Sequence, residues 1–161
     1  MFDKQELQQL YRYCYSLTCD KDNAQDLLQS AVEKYIKKIT VPETPMAYIK
    51  RIIHNQFIDD CRRKNIIMFE NSDDDQVATD FDVRTLESLM IDDDLAEKVL
   101  LSLLPDEREI VYFWVIEGMS TSEISAQLEI PRGTVLSKIH RMRTRLVLQF
   151  DARSVDVAED L

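Results

Sequence analysis

The chain has 161 residues, 45% hydrophobic and 31% charged, with Lys+Arg 20 against Asp+Glu 30 and a net charge of −10. That balance describes a folded globular protein, in a length that holds one ordinary domain or two small ones. Two Gly and four Pro are too few for a β-sandwich or barrel, and no apolar run approaches the roughly 20 residues of a membrane span, so no membrane insertion is expected.

The N-terminal stretch MFDKQELQQL is acidic and polar, unlike a secretory leader. Three cysteines at irregular positions suit reduced thiols in a cytoplasm better than a disulfide framework. A first helix is expected where Leu7, Leu10, Tyr11, Cys14 and Leu17 fall at helical spacing. In a second, Ala24, Leu27, Leu28, Ala31, Tyr35 and Ile39 line one face, with Asp26, Gln29, Glu33 and Lys37 opposite. The third opens with Thr44 as N-cap and Pro45 at the first helical position, where its missing N–H costs nothing. Its buried stripe is expected to be Met46, Ile49, Ile53 and Phe57. Across that helix Arg51, Asn55, Ile58 and Arg62 form a second stripe, and residues 50–64 set Lys50, Arg51, Arg62, Arg63 and Lys64 against only Asp59 and Asp60. Arginines and an amide on one face suit phosphates and base edges, although a solvated helix face is the plainer alternative.

The excess of acid is confined to the middle of the chain. Residues 70–97 hold eleven acids against one base, Arg84, leaving 19 bases and 19 acids in the remainder. Bulk charge alone argues against a nucleic-acid partner. Resolved along the chain, it describes two neutral halves, each with a basic helix, joined by an acidic connector of the kind that is usually solvated and poorly ordered.

The C-terminal half has helix-turn-helix grammar. Residues Pro105 to Glu117 are apolar on nearly every side and predict the buried central helix of a small domain, ended by Gly118. Ser120-Thr121-Ser122-Glu123 reads as a capping box. The short helix after it turns Ile124 and Leu128 inward, and Glu129-Ile130-Pro131 leads to a last helix over roughly 132–149. There Val135, Ile139, Met142 and Leu146 form the buried stripe. Leu136, Ser137, His140, Arg141 and Thr144 point away, flanked by Lys138, Arg143 and Arg145. From Arg132 to Arg145 there is no acid. A short helix, a tight turn and a basic second helix are what insertion into a DNA major groove requires. Arginine reaches guanine bidentately while the flanking cations meet phosphates.

These residues resemble the extracytoplasmic-function (ECF) sigma factors, the minimal promoter-recognition subunits of bacterial RNA polymerase. NAQDLLQSAVEKY (Asn23–Tyr35) is similar to the family's polymerase-binding helix, with its D-A-E-D-L-x-Q core. AYIKRIIHNQFIDDCRRK (Ala47–Lys64) resembles W-L-x-R-I-A-x-N-x-x-x-D-x-x-R-R. Leu104–Leu146 resembles the last domain, with its L-P-x-x-x-R-E, E-I-A and G-T-V-x-S-R-x-x-R-A-R signatures. The resemblance implies an all-α fold. Sigma region 2 would occupy 1–68, an acidic interdomain linker 69–94, the region 4 helix-turn-helix 95–150, and a polar tail 151–161.

It also implies roles. Asp26, Leu27, Leu28, Gln29 and Glu33 would dock on the clamp helices of the polymerase's largest subunit, with a second contact at the flap region. Asn55 would engage the non-template strand at the downstream promoter element, supported by Arg51, Arg62, Arg63 and Lys64 on the backbone. Leu136, Ser137, His140 and Arg141 would read the upstream element, with Arg132, Lys138, Arg143 and Arg145 around them. The linker would thread toward the RNA exit path, where its charge could mimic a transcript. An anti-sigma factor is an implied partner; no cofactor and no metal are implied. The chain departs from the family at Gln25 (usually glutamate), Tyr48 (tryptophan), Ser125 (alanine), Leu136 (often basic) and Lys138 (arginine).

Other chemistry finds little support. Cys14, Cys19, Cys61 and His54 contain no C-x-x-C, and the Asp73-Asp74-Asp75 run lacks the glycine and terminal glutamate of a calcium loop. No phosphate loop or nucleophile with a nearby base is legible, so no enzyme activity is expected. Two other classes stay open: a helix-turn-helix regulator acting without polymerase, and a helical protein that sequesters another factor.

Overall fold

The computed structural model describes residues 2–64 and 93–159. Among the described residues every regular element is helical, as expected, and no helix is long and apolar enough to cross a membrane. The acidic connector from 70 to 92, with Asp73, Asp74 and Asp75, lies outside the described residues.

The chain forms two compact units. In the first, α1 (Lys4–Thr18), α2 (Lys21–Ile36) and α3 (Pro45–Arg63) pack on one another, joined by α5 (Pro105–Val111) from later in the chain. Helix α1 begins with a reciprocal cap: Asp3 accepts from the Glu6 N–H at 2.8 Å, and Glu6 accepts from the Asp3 N–H at 2.9 Å. It ends at Cys19, in the left-handed conformation at φ 52°, and Asp20 at once caps α2 through the Asn23 N–H. Leu10, Tyr13, Cys14 and Leu17 of α1 are fully buried against Ala24, Leu27 and Ala31 of α2 and Ile49, Ile53, Phe57 and Cys61 of α3. Each large apolar side chain in this core contributes about 1.5–3 kcal/mol.

Three sequence expectations shift here. Tyr13, absent from the expected stripe, is at its centre, while Leu7 is exposed and Tyr11 half-exposed. Helix α2 stops at Ile36, so Ile39 is not on its buried face but 99% exposed in the segment leading to α3. The β-branched run Ile39-Thr40-Val41 before Pro42 disfavours helix and explains the early stop. Thr44 and Pro45 do start α3, although the Thr44 side chain makes no capping bond, and the half-buried Met46 yields its place in the stripe to Lys50 and Cys61.

The second unit contains α4 (Asp93–Ser102), a helical turn of π geometry (Tyr112–Ile116), of which the unit takes Phe113 onward, α6 (Thr121–Leu128) and α7 (Arg132–Glu159). Helix α4, unmarked by the sequence pattern, buries Val99 and Leu100 near its end, and Leu103 just after it is buried too. The single helix expected over 105–117 is instead α-helical only to Val111 and widens into the π turn, with Gly118 at φ 65° closing it. The Met119 N–H reaches back to the Phe113 carbonyl at 2.9 Å, one residue wider than the six-to-one bond of a Schellman closure on an α-helix, in keeping with the π turn it closes. Residues 104–112 pack with the first unit although they lie within the expected last domain.

Helix α7 runs ten residues past its expected end, through the segment expected to be a polar tail. After Gly133 no Gly or Pro interrupts it, so nothing in the local chemistry stops the helix.

Candidate nucleic-acid interface

In the second unit α6 and α7 pack as a helix-turn-helix. Ser120 caps α6 by accepting from the Glu123 N–H at 3.1 Å, one half of the expected box. Glu129 then takes the left-handed conformation at φ 56° and ends α6, with its N–H on the Ser125 carbonyl. The Ser125 hydroxyl donates to the Ile130 carbonyl across the turn. A residue conspicuous only as a departure from family pattern therefore helps to hold the turn that aims α7. Thr134 and Val135 donate to the Pro131 carbonyl at 3.0 and 3.2 Å, starting α7 without delay. Arg132 Nε donates to Thr121 Oγ1 at 3.1 Å, joining the first turns of the two helices.

On α7 the expected stripe is observed: Val135, Ile139, Met142 and Leu146 are each no more than 3% exposed. Their burial fixes the rotation of the helix. Arg132 and Thr144 are exposed, while Leu136, Ser137, Lys138, His140, Arg141, Arg143 and Arg145 are half-exposed. Arg145 turns its Nε out of solvent. Ser137 and Thr144 donate to the Gly133 and His140 carbonyls one turn back, at 2.8 and 3.0 Å. Their hydroxyl oxygens still can accept from outside. The result is a half-exposed face of cations and small polar groups with no carboxylate on it.

In the first unit α3 presents a second basic face. Arg51, Asn55, Arg62, Arg63 and Lys64 are all exposed, with Ile58 half-buried between them. Arg63 pairs with Asp60 at 2.9 Å; both side chains are well exposed, so this ion pair is worth little. His54, beside Asn55, points the other way: its Nδ1 lies 2.7 and 2.8 Å from the two carboxylate oxygens of Glu109. Sequence reasoning left His54 without a task, because its partner is 55 residues away.

Helix α2 offers a surface of a different kind. Asp26, Gln29 and Glu33 are exposed, and Gln29 Nε2 donates to Glu33 Oε1 at 3.4 Å. Leu28 is half-buried. Leu27, grouped with them in sequence, is only 4% exposed and belongs to the core beneath that surface. It can position the polar residues but cannot itself meet a partner.

One feature near α3 was not legible in sequence. Phe2, Tyr35 and Tyr48 form a ladder with ring centroids 4.9 and 6.0 Å apart, and Lys38 Nζ sits 3.6 Å from the Tyr48 centroid. Ile39 and Val41 project from the same segment into solvent. The available signal was the tyrosine standing where the family has tryptophan, together with the adjoining Lys37-Lys38 pair. Of the thiols, Cys14 and Cys61 are buried, and burial pushes Cys14 up to about 12.

Comparison with known proteins agrees with this geometry. The family model for Sigma-70 region 2 matches residues 3–66, and that for Sigma-70 region 4 matches 94–146. The chain is 30% identical over 152 residues to the RNA polymerase sigma-E factor of Streptomyces coelicolor, covering 91% of this chain and 82% of that one. It belongs to the ECF sigma factor family. A second member, the ECF RNA polymerase sigma factor SigE of Mycolicibacterium smegmatis, is 32% identical over 148 residues, which cover 89% of this chain and 58% of that longer protein. Among solved structures, the sigma factor RpoE of Bartonella quintana, determined with the anti-sigma factor NepR, shares the fold. Its TM-score is 0.61 at 22% identity, over 91% of this chain and 94% of that one. The sigma region 2 match contains α1 to α3, and the region 4 match contains the helix-turn-helix.

Proposed function

We propose that this sigma factor binds core RNA polymerase through α2 and reads a promoter with two helices, α3 at the downstream element and α7 at the upstream one. The observation that carries the reading is the pair of basic faces. Asn55 and Arg51 stand exposed on a rigid helix whose other side is core, and the acid-free stripe of α7 follows a tight turn.

Asn55 can capture a base displaced from the stack with its amide, while Arg51, Arg62, Arg63 and Lys64 hold the strand's phosphates. Arg141 and His140 reach base edges in the major groove with Leu136 and Ser137. Arg132, Lys138 and Arg143 lie where the phosphates pass. Asp26, Gln29, Glu33 and the half-exposed Leu28 offer the clamp helices a polar, acidic patch. The flap region would take the second unit. An anti-sigma factor is a natural further partner, since the similar Bartonella protein was solved with one. The chain itself performs no bond chemistry and works in the cytoplasm; nucleotide addition belongs to the polymerase.

Electrophoretic mobility shift and run-off transcription test this directly. Promoter binding and a discrete transcript are expected only with core polymerase present. Asn55→Ala should abolish open-complex formation while leaving core binding intact, and Asp26→Ala should weaken core binding at every promoter alike. Tight specific DNA binding by the chain alone would favour a polymerase-independent regulator. Absence of binding in either condition would favour a sequestering protein.

A further inference from the structure

Leu136 and Ser137 stand side by side in the second turn of α7, both half-exposed. A recognition helix reads base edges with residues near its N-terminal end, so these two are placed to meet them. Val135 and Ile139, on either side of the pair in sequence, are no more than 3% exposed. Their burial holds the helix at one rotation and leaves Leu136 and Ser137 little freedom to turn elsewhere.

Ser137 is restricted to one kind of partner. Its hydroxyl donates to the Gly133 carbonyl at 2.8 Å, so its only proton is taken up within the helix and the oxygen is left to accept. On the major-groove edge the groups that donate are the amines, adenine N6 and cytosine N4. Ser137 therefore matches an amine and offers nothing to the acceptors of guanine or to thymine O4.

Leu136 carries no polar atom beyond the backbone. Set against an amine or a ring nitrogen, its side chain would strip water from a polar group and return no hydrogen bond. The apolar group that the major-groove edge presents is the C5 methyl of thymine. A thymine methyl and an adenine amine belong to the same base pair, whereas a G·C pair has an amine and no methyl. The needs of two consecutive residues thus converge on A·T. Arg141 lies one turn further along, about 6 Å up the helix axis, and so meets a different pair.

We propose that Leu136 and Ser137 jointly select one A·T pair of the upstream promoter element, on the sigma-factor reading above in which α7 meets that element. Leu136 packs on the thymine methyl, and Ser137 Oγ accepts from adenine N6.

The test uses holoenzyme and the upstream element it selects from a random promoter library, with binding followed by fluorescence anisotropy. Deoxyuridine replaces each thymine in turn, which removes one methyl group and nothing else. At one position the wild type should lose affinity about fourfold, the value of one buried methyl group, and Leu136→Ala should bind the two DNAs alike. At the same pair, purine in place of adenine removes only the amine. It should weaken the wild type severalfold, and Ser137→Ala should bind both DNAs alike. If either variant fails to fold, the deoxyuridine and purine series on the wild type decide without it. The pairing is overturned if no thymine methyl matters, if the methyl effect persists in Leu136→Ala, or if the methyl and amine effects fall on different pairs. A chain that binds DNA tightly without polymerase refutes the sigma-factor reading instead, and the same two series on that DNA then decide the pair. A chain that binds no DNA in either condition overturns both.

Discussion

The chain's two glycines, Gly118 and Gly133, should respond to the same substitution with opposite signs. Gly118 has φ 65°, and a Cβ built on it meets nothing within 4 Å. Gly118→Ala therefore creates no clash, and its whole effect is that of an L side chain in the left-handed region, about 1–2 kcal/mol of destabilisation. Gly133 follows Arg132 in the first turn of α7, also with open space around its Cβ position and without a positive φ. Gly133→Ala removes backbone freedom from the unfolded chain and gains helix propensity, about 0.5–1 kcal/mol of stabilisation. For a chain of this size 1 kcal/mol moves Tm by about 2–4 °C, so the two variants should lie at least ~3 °C apart on either side of the wild type. Trp114, the chain's single tryptophan, lies in the second unit with both glycines, and its fluorescence follows that unit's unfolding. The reasoning fails if Gly118→Ala melts at or above the wild type, or if Gly133→Ala melts below it.

Two further outcomes separate the roles of neighbouring residues. Arg141→Ala should cost about 1–3 kcal/mol at one base position and relax specificity there. Arg143→Ala should instead weaken holoenzyme binding evenly across sequences and reduce the salt slope by about one; salt-dependent fluorescence anisotropy on a promoter series distinguishes them. The thiols respond to pH in a defined direction. Cys14 holds its proton in the folded state up to about 12 against an ordinary value of 9.0, so its contribution to stability is complete below 9 and declines as pH rises from there toward 12. Disulfide-exchange labelling at pH 8, read by mass spectrometry, should modify the half-exposed Cys19 first and reach Cys14 only on unfolding. Equal labelling rates in the native protein would contradict that.

Local chemistry made much of the fold and interface readable. The stripe Val135, Ile139, Met142 and Leu146 repeats at helical spacing, so the rotation of α7, and with it the exposure of Arg141, follows from sequence. Pro45 and Gly118 likewise mark helix boundaries, proline because its ring fixes φ and leaves no N–H, glycine because it enters the left-handed conformation without the steric cost of a Cβ. The net charge of −10 looked hostile to DNA until its position along the chain was resolved.

Periodicity placed Leu27 on the apolar face of α2 with Ala24 and Ala31, where it is buried, whereas the family resemblance grouped it with the exposed docking residues, and only packing against α1 and α3 separates it from them. Periodicity did not reveal α4, whose acidic start is continuous with the connector. Glu109 is the extreme case. In sequence it is one of three acids in the helix Pro105–Val111, with nothing nearby to show which of them faces water. Its partners, Tyr13 and His54, are 96 and 55 residues away, and a buried carboxylate is tolerable only where such donors converge. Periodicity and capping, which act over a few residues, are written in the chain itself. The satisfaction of a buried charge depends on which distant residues the fold brings to it, and that only the tertiary structure decides.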